Sequence, residues 1–215
     1  MRPARLAACA AAVAALAVAP AATAGAPACN LVVDPRGDAR TGDLPPGVYA
    51  SPDQDIVGAD IASNKRHLTA VVRLASLREL DTDAPTGRSY VVEFTVAGKP
   101  YSLHATYGPD GYQGVAWDDA TGSGLGNASV VLDHQQRQVR ITAPAALFGA
   151  VPGRTVAGIT AKAGHRYGTN APKAVPAAAG YGAYVGGAGA DSVVDTATTS
   201  RTYVAGSASC VTPAR

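Results

Sequence analysis

The chain has 215 residues, with eighteen Lys and Arg against sixteen Asp and Glu. Arg2 and Arg5 fall within the first 24 residues, so sixteen bases face sixteen acids in the remainder, which is formally neutral. Its four lysines, at 65, 99, 162 and 173, form no basic run, which excludes the electrostatic footprint of a nucleic-acid or anionic-membrane binder.

Arg2 and Arg5 precede an apolar run from Leu6 to Ala19, and Ala22-Thr23-Ala24 supplies small residues for cleavage. The pattern predicts a secretory signal over 1–24 and a secreted, extracellular chain from about Gly25. Fourteen apolar residues fall short of the roughly 20 that span a bilayer as a helix, and no later run is longer, so no membrane span is expected. Fourteen of the bases are arginine and alanine abounds, the mark of a GC-rich bacterial genome. With Cys9 in the signal, Cys29 and Cys210 remain, and an oxidising compartment lets them join. A Cys29–Cys210 disulfide requires the two ends to meet, which makes 25–215 a single domain.

Leu31 to Val33 reads as a short strand running into Asp34-Pro35-Arg36-Gly37-Asp38. Asp55 to Ala62 and His67 to Leu77 read as paired strands around Ser63-Asn64-Lys65-Arg66, with Leu68, Ala70, Val72 and Leu74 on one face. The next hairpin alternates Tyr90, Val92, Phe94 and Val96 with Val91, Glu93 and Thr95, then Tyr101, Leu103, Ala105 and Tyr107 with Ser102, His104 and Thr106. A two-residue turn at Gly98-Lys99 sets Phe94 against Leu103, Val96 against Tyr101 and Glu93 against His104. Tyr112 to Trp117 is a further strand candidate. Val130 and Leu132 then answer Ile141 and Val139 across a four-residue loop at His134-Gln135-Gln136-Arg137. Ala143 to Phe148, with proline early and Gly149 beyond, predicts one or two helical turns. Thr155 to Ala163 and Ser200 to Ala205 complete the strands, and the Gly-, Ala- and Pro-rich segment 164–190 reads as a long loop. The sum predicts an all-β fold, an antiparallel two-sheet β-sandwich, jelly-roll-like, with one short helix at most.

The order of features (an apolar strand ending in Asp34-Pro35-Arg36-Gly37-Asp38, then Asp55-Ile56-Val57-Gly58-Ala59-Asp60-Ile61, a polar turn, and Leu68-Thr69-Ala70-Val71-Val72-Arg73-Leu74) resembles exported bacterial sandwich modules of the DOMON and family 9 carbohydrate-binding type. The resemblance covers most of 31–205 as a strand pattern. It implies a jelly-roll-like module that binds sugars, haem or calcium without catalysis. The one methionine, Met1, and four scattered histidines offer no haem-ligand signature, so haem is not expected.

Fourteen of the sixteen acids are aspartate. Calcium takes six to eight hard oxygens, and Asp34, Asp38 and Asp55 supply them if the first loop folds back beside the second strand. The competing reading is turn chemistry, since Asp bonds the backbone two residues on; Gly37 in Arg36-Gly37-Asp38 then serves the turn, not adhesion. Tyr107, Tyr112 and Trp117 flank Gly108-Pro109-Asp110-Gly111 and suit a sugar ring, or else fill the core. No Gly-x-Ser-x-Gly elbow is present, both mature cysteines are committed, and His67, His104, His134 and His165 lack zinc spacing. Glu93 opposite His104 reads as a surface pair before an acid–base dyad. The expectation is a secreted, non-catalytic binding module for polysaccharide or cell-surface glycan, stabilised by calcium. Its alternatives are a secreted hydrolase with an unrecognised site and a structural envelope protein.

Overall fold

The computed structural model describes residues 29–40, 51–78, 86–108, 111–167 and 191–212. The segment 1–24 expected to be a signal and residues 168–190 of the expected loop lie outside them. The described chain is all-β and antiparallel, as its two-residue periodicity predicts. Its strands are β1 (Val32–Val33), β2 (Ile56–Ser63), β3 (His67–Leu74), β4 (Thr86–Val96), β5 (Lys99–Gly108), β6 (Gly111–Asp118), β7 (Ser123–Asp133), β8 (Gln138–Pro144), β9 (Thr155–Tyr167), β10 (Asp191–Thr198) and β11 (Tyr203–Val204). They pair in the order β1-β2-β3-β8-β7-β6-β5-β4-β9-β10, with β11 also on β9, as one sheet strongly curled into a half-barrel.

The curl turns on β7. Gly124, Gly126, Asn127 and Ala128 pair with β6, while Ser129 to Asp133 pair with β8. The ladder shifts register beside Gly124 and Gly126, and Gly126 has φ 155. Glycine and a bulge together let one strand serve both halves of the curl. The concave side is filled by Leu68, Val72 and Ile141 from one half and Tyr90, Phe94 and Leu103 from the other.

Three hairpins test the predicted registers. Asn64 turns β2 into β3, its side-chain oxygen accepting from the amides of Arg66 and His67 at 2.8 Å each. Val130 faces Ile141 and Leu132 faces Val139 across 134–137, as expected. The β4–β5 hairpin differs: Val96 pairs with Lys99, Phe94 with Tyr101 and Val92 with Leu103, so the turn is Ala97-Gly98. Parity is kept, apolar against apolar, but the register moves by two. Proline decides it. A turn at Gly98-Lys99 makes Ala97 and Pro100 the closing pair, which must exchange both backbone hydrogen bonds, and Pro100 has no N–H to give. Glu93 consequently faces Ser102 and not His104.

Pro144 leads into a 3₁₀ turn at Ala145–Phe148, closed by Gly149 at φ 62. β9 runs beyond Ala163 to Tyr167, so the expected loop begins later than Gly164, and β10 is a strand that the composition did not announce. Cys29 and Cys210 form a disulfide, with Cα atoms 5.2 Å apart. Beyond it Val211 packs against Ala62 and Val71, covering the outer side of β2 and β3. No helix among the described residues is long and apolar enough to cross a membrane.

Candidate functional site

The first candidate lies where the curl's two edges approach. After β1 the chain turns at Gly37, whose φ of 88 suits glycine, and folds back on the start of β2. Both oxygens of Asp55 accept from the Gly37 amide, at 3.0 and 2.8 Å. This brings Asp34 and Asp38 together, and the third corner is Asp195 of β10; their nearest carboxylate oxygens all lie within 4.8 Å of one another. Asp55 thus anchors the loop behind the cluster, and Asp195 completes it.

The electrostatics are those of crowded anions. Burial, then the carboxylates of Asp195, Asp38 and Asp55, push Asp34 up to about 6. Asp195 is raised by its burial and by Asp38 and Asp55, against the lowering effect of the Ile56 and Thr196 amides. Asp34 Oδ2 is buried and has no hydrogen-bond partner among the described residues. A buried carboxylate oxygen without a donor is costly, and a hard cation would satisfy it while relieving the repulsion.

The second candidate is on the outer face of β4, β5, β6 and β9. Ser102 Oγ donates to Asp119 Oδ1 at 2.7 Å and lies 2.7 Å from His104 Nε2. A hydroxyl has one proton. With that proton on the Asp119 bond, Ser102 accepts from a protonated Nε2, so the imidazole is not placed to activate it as a nucleophile. Ser102 and His104 are 1% and 5% exposed, whereas Asp119 is exposed. Burial, helped by Lys162, holds His104 down to about 4, neutral at pH 7. Glu93 is ion-paired with Lys162 across β4 and β9.

Trp117 sits directly across from Ser102, its ring 6.2 Å from that of His104. A Cβ on Gly124 would come within 3.4 Å of Trp117 Cζ3, so the indole lies over a glycine of β7. Tyr112 is on the opposite, core side, stacked on Tyr90 at 6.3 Å. Tyr107 pairs with Tyr112 in the ladder; its side chain lies outside the description. Trp117 and Tyr112 therefore do not form one platform.

A third polar group is internal. Asp53 is fully buried and binds Arg78 and Arg88, each at 2.9 Å. Burial works to raise Asp53, but Arg78, Ser76 and Arg88 outweigh it and leave the carboxyl below its ordinary value. Sequence reasoning missed Asp195, Ser102 and Asp119 as site residues. Ser102 and Asp119 meet through the separate β5–β6 pairing, in which Tyr101 faces Asp118 and Ser102 faces Trp117, whereas Asp195 belongs to a strand bordered by Gly and Ala. Comparison with family models, curated proteins and solved structures gives no match.

Proposed function

We propose that the chain is an exported, non-catalytic binding module of the DOMON or family 9 carbohydrate-binding type, whose Asp34, Asp38 and Asp195 hold a calcium ion. In this reading the halves meeting at β7 act as facing layers of a jelly-roll-like sandwich. The observation that carries the cation is Asp34 Oδ2, buried and without a donor among three neighbouring carboxylates. Calcium would link the loop after β1 to the last edge strand and give Asp34 Oδ2 the partner that no described donor supplies.

The test is thermal unfolding of the secreted chain with calcium, magnesium or chelator. A ligand at 100 times its Kd adds about 2.7 kcal/mol, or about 5–10 °C in a domain of this size. Calcium is expected to raise Tm by that order, and Asp34→Asn with Asp195→Asn to abolish the rise. An unchanged midpoint in calcium removes the metal.

The ligand reading is a polysaccharide or cell-surface glycan, and Trp117 supports it. Its half-buried ring lies against Gly124 on the outer face, and an indole there offers a sugar a surface to stack on. Retention on a panel of insoluble cellulose, xylan, mannan and chitin, compared with Trp117→Ala, tests that part.

A further inference from the structure

The His104–Ser102–Asp119 chain is unusual for the convex side of a sheet, where side chains normally meet water and need no internal partners. Two members are almost wholly buried and the third is exposed. The chain therefore holds one accessible carboxylate in a fixed position. The backbone is fixed as well: the Asp119 amide donates to Pro100 O at 3.2 Å, and Asp118 Oδ1 caps the following turn by accepting from Ala120 and Thr121. Ser102 occupies one lone pair of Asp119 Oδ1, and Oδ2 has no partner among the described residues. The carboxylate keeps acceptor sites on both oxygens.

Directly paired residues in adjacent strands have Cβ atoms about 5 Å apart, and Trp117 is paired with Ser102. Asp119 is thus within one sugar ring of the indole. A stacking face beside an anchored, two-oxygen acceptor matches a pyranose with its ring on the aromatic and two adjacent hydroxyls pointing sideways. We propose that Trp117 and Asp119 form a saccharide subsite in which Asp119 accepts from a vicinal diol, with Ser102 and His104 as positioning residues. This rests on the glycan reading above and adds to it the acceptor and the hydroxyl pattern.

The experiment measures retention of the full secreted chain on the same four polymers, then competition by a soluble vicinal-diol sugar and by its deoxy analogue lacking one hydroxyl. Asp119→Asn is expected to weaken retention about tenfold or more, as loss of a charged acceptor does, with Tm unchanged. Ser102→Ala gives a readout that a purely structural role would not. Burial, with Glu93 and Asp118, raises Asp119 above its ordinary value, and the Ser102 bond, with Lys162, holds part of that rise back. Its loss is expected to move the pH at which retention falls to a higher value, and Ser102→Thr to restore it. If Trp117→Ala abolishes retention while Asp119→Asn leaves it intact, or if the deoxy sugar competes equally, the diol subsite is wrong and the glycan reading stands. If the wild-type chain is retained on no polymer, both fall.

Discussion

The carboxylate of Asp195 accepts a 2.6 Å hydrogen bond from the amide of Ile56, 139 residues earlier in the chain. This bond spans the seam between β10 and β2, which no backbone ladder closes. Tyr203 makes a second stitch, its hydroxyl accepting from the Ser63 amide at 2.9 Å. Apart from the Arg40 amide, which donates to Val194 O at 2.8 Å from the loop after β1, these stitches are side chains, and one of them belongs to the acidic cluster. Charge at the cluster and closure of the curl are coupled through Asp195.

Two substitutions at Asp195 separate these roles. Asp195→Ala leaves the buried Ile56 amide without its acceptor, a cost of about 1–3 kcal/mol, read as a lower urea midpoint. Asp195→Asn keeps an acceptor oxygen and removes a charge that repels Asp34. Without calcium its midpoint is expected to equal or exceed that of the wild type, and its response to calcium to vanish. Equal losses in both variants would show that the charge is part of the seam's stability.

Asp34 gives a pH signature. Its folded value is raised from 3.8 to about 6, so between those values the folded state holds the proton more tightly than the unfolded one. The contribution of Asp34 to stability is therefore greatest below the window and falls as pH rises through it. Asp34→Asn is expected to gain on the metal-free wild type as pH goes from 4 to 7, and saturating calcium to close the gap. Urea unfolding of both proteins across that range checks the sign.

His104 works in the opposite direction. Its folded value is depressed from 6.5 to about 4, so the unfolded chain takes up the proton first as pH falls. The contribution is fully present above pH 6.5 and lost toward pH 4, at most roughly 3 kcal/mol. Asp34→Asn alone is expected to show this acid loss, and the double variant with His104→Gln to show less of it. Parallel curves would contradict the buried neutral ring.

The legible parts of this fold are those whose physics is local. Alternation placed β2 to β5 and the β7–β8 hairpin, and Pro144 with Gly149 placed the 3₁₀ turn. Register needed one further step: hydrophobic parity repeats every two residues and so admits Gly98-Lys99 as readily as Ala97-Gly98. Only the missing N–H of Pro100 separates them, and with it goes the choice of Ser102 over His104 opposite Glu93. Asp34 and Asp38 are four residues apart in a turn and announced themselves. Asp195 did not, because its place depends on how the whole sheet curls, and β10 is bordered by glycine and alanine that carry no two-residue rhythm. Tyr112 and Trp117 were close in sequence, but an odd separation in a strand puts them on opposite faces.

The disulfide closes a loop across 181 positions. In the chain-entropy model such a closure contributes up to roughly 5 kcal/mol by restricting the unfolded chain. Cys29→Ser with Cys210→Ser is expected to lower the urea midpoint, with the largest rise in amide exchange at β1 and around Val211, which packs on Ala62 and Val71. An unchanged midpoint would mean that the ends are held together without sulfur.

The β4–β5 turn offers a stabilising change. Ala97 has φ 51 and Gly98 has φ 79, both left-handed, as a two-residue primed turn requires. Glycine is at ease there, but a Cβ in this conformation costs about 1–2 kcal/mol. Asparagine tolerates the region better than alanine, and unlike glycine it does not loosen the unfolded chain. Ala97→Asn is therefore expected to add about 0.5–1 kcal/mol, some 1–4 °C in Tm. Gly98→Ala has open space for its Cβ, so any loss, expected at about 1–2 kcal/mol, comes from the backbone alone. If the turn were Gly98-Lys99 instead, Ala97 would be an ordinary strand residue, Ala97→Asn would destabilise, and the opposition of Ser102 to Glu93 would lose its basis.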